Sequence, residues 1–95
     1  MQMFNPAHPG EIVRECMGEN LTVTALAKHL GVPRVNLSNI LHGKLGISAA
    51  VALKLAQAFP NQDAEFWLAL QAQFDLAQER KKKRAKIKPV LRKAA

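Results

Sequence analysis

Ala27, Gly31 and Leu37 stand four and six residues apart, and this spacing constrains the chain more than any other feature. Near the end of a short helix, Ala27 falls where a following helix crosses, and a larger side chain there would push the two apart. Gly31 then supplies the left-handed conformation of a tight turn. Leu37 sits where the second helix packs back on the first. Three steric demands met at these separations predict a helix-turn-helix whose second helix has a polar outer face. The alternative these residues leave open is a plain helical bundle.

The punctuation around this unit predicts helices throughout. Pro9 suits a first helical position, and Ile12, Val13, Cys16 and Met17 form one apolar stripe, predicting a helix over 9–18 that Gly18 and Asn20 can stop. Thr22 is an N-cap for the run containing Leu26, Ala27 and Leu30, predicted over 23–30. Pro33 restarts a helix over 33–42, with Leu37, Ile40 and Leu41 as its buried face and Gly43 at its end. Ser48 caps a fourth, Ala-rich helix bearing Ala52, Leu55, Ala56 and Phe59, which Pro60 stops. Asp63 caps a fifth carrying Phe66, Trp67, Leu70, Phe74 and Ala77, free to run on into the C-terminal segment. Neither a strand alternation nor an internal repeat occurs, so the class is all-α with five helices.

The chain of 95 residues, 48% hydrophobic and 5% aromatic, suffices for one small core. No apolar run approaches the ~20 residues of a membrane span. The start MQMFNPAHPG lacks a basic segment followed by an apolar one, and the single Cys16 has no disulfide partner within the chain. Together these predict a reducing, cytoplasmic location. The net charge of +7 is unevenly placed. Residues 1–78 carry five cations against six anions, a balance of −1, whereas 79–95 carry nine cations against Glu79 alone, a balance of +8. The expected organisation is a nearly neutral body over 1–79 and a basic tail over 80–95, either disordered or an extension of the fifth helix. Recognition by the body then depends on a few placed side chains rather than on a general basic field.

The buried stripe of the third helix leaves Arg34, Val35, Ser38, Asn39 and His42 facing outward. Such a stripe suits a major groove: Arg34 for guanine O6 and N7, Asn39 for adenine N6 and N7, Ser38 for either, and Val35 for a thymine methyl. Asn36 lies nearer the flank. Thr22, Thr24 and Lys44 fall at the start of the second helix and just past the third, where a docked unit meets phosphates. The plainer readings are a solvated face with one arginine, an ordinary N-cap at Thr22 and a solvated Lys44.

The segments HPGEIVRE, LTVTALAKHLGVPRVNLSNILHGKLGIS, ALKLAQAF and EFWLALQAQFDLA resemble the HigA antitoxins of bacterial toxin–antitoxin modules, within the wider group of Xre-type regulators. The resemblance spans about residues 6–78. It implies a lambda-repressor-like fold and a homodimer on a palindromic, double-stranded operator in its own promoter. It further implies neutralisation of a HigB-like toxin, in the family a ribosome-dependent mRNA endonuclease. No cofactor is implied. Carried residue by residue, the family's base-reading positions fall on Arg34, Val35, Ser38 and Asn39, and its phosphate contacts near Thr22, Thr24 and Lys44. One position departs from the pattern: many Xre-type regulators place Gln where this chain has Val23, and valine neither reaches DNA nor braces the recognition helix. The operator sequence therefore does not carry over.

The fifth helix has a second apolar line, Leu68, Ala72 and Leu76, turned away from the stripe of Phe66, Leu70 and Phe74. Phe66, Trp67, Leu70 and Phe74 are expected to close the core, and Leu68, Ala72 and Leu76 to form a two-fold dimer contact; packing within one chain is the alternative. Glu11, Arg14, Glu15 and Glu19 make a charged rim on the first helix, available to a basic toxin or merely solvated. His8, His29 and His42 have no companions at metal-ligand spacing, and the chain contains no phosphate loop or nucleophile motif. Catalysis is not expected. Besides an antitoxin, the residues allow a stand-alone or phage-like Xre-type regulator, or an RNA-binding module that uses the tail.

Overall fold

The computed structural model describes residues 6–90, and its five helices are α1 (Pro9–Met17), α2 (Val23–Leu30), α3 (Arg34–Leu41), α4 (Ala49–Ala58) and α5 (Ala64–Lys81). No strand occurs among the described residues. The tail cations Arg92 and Lys93, and the first five residues of the N-terminal segment, lie outside the described residues.

Side-chain caps set most of the helix starts. Thr22 Oγ1 accepts the Ala25 N–H at 3.1 Å, Ser48 Oγ the Val51 N–H at 3.2 Å, and an Asp63 carboxylate oxygen the Phe66 N–H at 2.8 Å. Each satisfies a donor that the first helical turn leaves without an internal partner. Pro33 differs from expectation: it is the N-cap of α3, with extended backbone, rather than its first residue. Gly31 ends α2 at φ 73°, and the N–H groups of Gly31 and Val32 return to the carbonyls of Lys28 and Ala27. That pair of bonds is a Schellman turn, and it makes the α2–α3 connection short and rigid.

The core is one cluster drawn from all five helices and the α3–α4 loop: Val13, Leu26, Ala27, Leu30, Leu37, Ile40, Leu41, Ile47, Ala52, Leu55 and Trp67. Ala27 is buried, as its crossing position requires, and α2 packs directly on α3. Helix α5 lies mainly along α4 and also touches α1. One expectation fails here. Phe66 is 37% exposed and stacks edge-on against fully buried Trp67, which takes the core position. Consecutive helical residues point about 100° apart, so both rings cannot face the centre. Ala56 and Phe59 of the α4 stripe are half-buried, whereas Ala52 and Leu55 are enclosed.

Gly10 explains how α1 reaches α3. A Cβ on this residue would overlap the Ile40 carbonyl oxygen, so only glycine lets the first turn of α1 approach the end of α3 this closely. His8 sets up the approach by accepting the Gly10 N–H on Nδ1 at 2.9 Å, and its ring meets Phe74 of α5 edge-on. The loop between α3 and α4 is tied to α5 as well: Gln71 Oε1 accepts the Ile47 N–H at 2.7 Å. The end of α3 is thereby held from two sides.

Candidate nucleic-acid interface

Helix α3 is eight residues long and buries Leu37, Ile40 and Leu41. Its opposite side exposes Arg34, Val35 and Asn36, with Ser38 and Asn39 half-buried. Val35 is 61% exposed, an apolar group left in water on the outer face of the helix. His42, exposed, is the C-cap residue beyond α3. Its Nδ1 lies 2.7 Å from the Ser38 carbonyl oxygen. A carbonyl only accepts, so Nδ1 is the donor in this contact.

Arg34 Nε donates to Thr24 Oγ1 at 3.0 Å, which joins the start of α3 to the start of α2. Thr22 is exposed and its oxygen is engaged as the α2 cap. Lys44 is exposed, and its backbone N–H donates to the Asn39 carbonyl at 2.8 Å, with that of Leu45 at 3.2 Å on the same oxygen. The nine residues singled out for DNA thus group on α2, α3 and the turn that closes α3. Arg34 and Thr24 form one hydrogen-bonded pair and His42 and Ser38 another.

The charge arrangement is sharper than the balance of residues 1–78 suggests. Residues 20–62 contain Lys28, Arg34, Lys44 and Lys54 and no acidic residue, whereas Glu11, Glu15, Glu19, Asp63, Glu65 and Asp75 all lie outside that stretch. The helix-turn-helix and α4 are cationic, and the anions sit on or beside α1 and α5. Summing over the whole body hides this; counting by helix would have found it, and with it Lys28 and Lys54. Lys28 is exposed on α2. Lys54 reaches from α4 to the Gly31 carbonyl at 3.5 Å, where an ammonium complements the negative end of α2.

On α5, Leu68, Ala72 and Leu76 are all exposed along one line, opposite buried Trp67 and Ala77. Leu76 is 50% exposed. The rim on α1 is exposed at Glu11, Arg14 and Glu15, and Glu19 beyond it is exposed too. Burial and nearby Glu15 push the Cys16 thiol pKa up, which disfavours the thiolate. Among the described residues no cluster of three or more His, Cys, Asp or Glu is placed to hold a metal ion, and no helix is long and apolar enough to cross a membrane.

Helix α5 ends at Lys81, so it enters the basic segment by only two residues, and no helix follows in the described part of the tail. Lys82 Nζ pairs with Glu79 at 2.9 Å, and Arg84 Nη1 donates to the Glu79 carbonyl at 2.9 Å. These contacts close the C-terminal end of α5.

Residues 13–66 match the helix-turn-helix model HTH_3. Virulence-associated protein A' of Dichelobacter nodosus is 51% identical over 78 residues, covering 81% of this chain and 68% of that protein. Antitoxin HigA-1 of Vibrio cholerae is 41% identical over 75 residues, 75% of this chain and 68% of its own length. Among solved structures, Pseudomonas aeruginosa antitoxin HigA with the higBA promoter superposes with a TM-score of 0.74 at 38% identity, covering 79% of this chain and 83% of that one.

Proposed function

The chain belongs to the helix-turn-helix family that includes the HigA antitoxins, and on that premise we propose that it is the antitoxin and autorepressor of a toxin–antitoxin pair. Membership makes it a DNA-binding regulator of antitoxin type rather than an enzyme. In the fuller reading, two copies form a homodimer on a palindromic operator in their own promoter and also neutralise a HigB-like mRNA endonuclease in the bacterial cytoplasm. Two-fold symmetry would set the paired α3 helices about one DNA turn, ~34 Å, apart. Residues 1–79 are the binding and dimerising unit, and 80–95 the appended tail.

The observation that carries this reading is the outer face of α3, which opens on an arginine already oriented by a hydrogen bond and lies within a stretch free of acidic residues. Arg34, Val35, Asn36, Ser38, Asn39 and His42 read bases, and Thr22, Thr24 and Lys44 position the phosphates. Removing a bidentate base contact costs about 1–3 kcal/mol at the specific site and relaxes one base preference. Arg34→Ala and Asn39→Ala are therefore expected to weaken operator binding by that amount while barely changing binding to random duplex. Equal loss on both duplexes would make these residues phosphate contacts. The toxin half is tested by co-purification with the product of an adjoining reading frame. If no neighbouring product binds, the chain is a stand-alone Xre-type regulator.

A further inference from the structure

Arg34 is oriented before any ligand arrives. Its Nε donates to Thr24 Oγ1 at 3.0 Å, ten residues back across the turn. A guanidinium offers two edges for a bidentate contact: a side edge made by Nε and one terminal nitrogen, and an end edge made by both terminal nitrogens. With Nε engaged, the end edge is the one left for a ligand. We propose that Thr24 is a positioning residue for base readout, fixing Arg34 so that its two terminal nitrogens meet guanine O6 and N7 as a pair. This rests on the reading of Arg34 as a base contact.

The surroundings make Thr24 suited to the task. Threonine is β-branched, so few helical rotamers are open to its hydroxyl. The Schellman turn at Gly31 and the crossing at buried Ala27 hold α2 and α3 at a fixed separation, so the donor and acceptor are carried on a rigid pair. Val23, the preceding residue, is half-buried against the core and offers no polar group. An exposed arginine without such a hold loses rotamer freedom on binding, and holding it beforehand lowers that cost.

Selection of binding sites from random duplexes by the full chain and its variants reads out base preference position by position. The wild type is expected to fix one guanine in each half-site, and Arg34→Ala to abolish that preference. Thr24→Val keeps the shape without the acceptor and is expected to weaken preference at that guanine by about fivefold, roughly the worth of one hydrogen bond, relative to every other position. Thr24→Ser restores it, which separates the hydrogen bond from any packing change in Thr24→Val. In the Arg34→Ala chain, Thr24→Val adds no further loss of preference. Full guanine preference in Thr24→Val, with or without a uniform loss of affinity on all sequences, overturns the positioning role and leaves Arg34 as the reader. Unchanged preference in Arg34→Ala overturns the base reading and this inference together.

Discussion

His8 works as a cap only while its ring is neutral, because Nδ1 must accept the Gly10 N–H. Burial pushes its pKa below the ordinary histidine value of ~6.5, with Asp75 and Glu11 pulling partly the other way. The unfolded chain therefore takes up a proton near pH 6.5 that the folded chain refuses. The stability His8 contributes is fully present above that pH and is lost as pH falls from there toward the lowered, folded value. Wild-type thermal midpoints are accordingly expected to drop as pH falls below about 6.5. His8→Asn keeps a capping acceptor and does not titrate, so its midpoint is expected to fall less steeply over that range, although loss of the Phe74 contact lowers it throughout. His8→Ala removes the cap as well, worth about 1 kcal/mol. An equally steep drop in His8→Asn would place the titrating group elsewhere. Gly10, two residues on, is fixed by the backbone of Ile40 and Leu41 in α3, a constraint between distant parts of the chain that no local pattern reveals.

At the scale of helices, the starts of α2, α4 and α5 were legible because Thr22, Ser48 and Asp63 act locally, each on a backbone N–H three residues ahead. The turn at Gly31 was legible for the same reason. Helix α5 was harder to read, since apolar residues surround much of its circumference and periodicity does not say which arc meets α4. Phe66 was expected inside and lies at the margin, with Trp67 inside. The line of Leu68, Ala72 and Leu76 is exposed, as a contact with a second copy requires. Leu68→Glu combined with Leu76→Glu places charges on that line without touching Trp67 or Ala77. Sedimentation is expected to show a folded monomer with wild-type helicity; a persistent dimer would move the two-fold contact to another surface.

Across the whole molecule the charges fall in three zones: anions on and beside α1 and α5, cations from α2 to α4, and a denser cationic tail. The outward stripe of α3 was legible in the sequence, but the zoning was not, because the body sums to nearly zero. The tail begins by closing α5 through Lys82 and Arg84 and continues through Lys86 and Lys88, exposed and outside any helix. We propose that this segment adds phosphate contacts without base selectivity; each neutralised phosphate would contribute about 0.9 to the slope of log K against log salt. Truncation after Glu79 is expected to flatten that slope while preserving the ratio of operator to random affinity at matched salt. An unchanged slope would assign the tail to a protein or RNA partner. For the acidic rim at Glu11 and Glu15 we propose a toxin contact: Glu11→Lys with Glu15→Lys is expected to weaken binding of a basic toxin and spare operator binding.

The most direct test is titration of the purified chain onto its own upstream DNA and onto a scrambled duplex of equal length, near 0.15 M salt to damp the tail's contribution. Selective, saturable binding of two protomers to each site is the predicted result. Equal and weak binding to both duplexes would contradict sequence readout by α3.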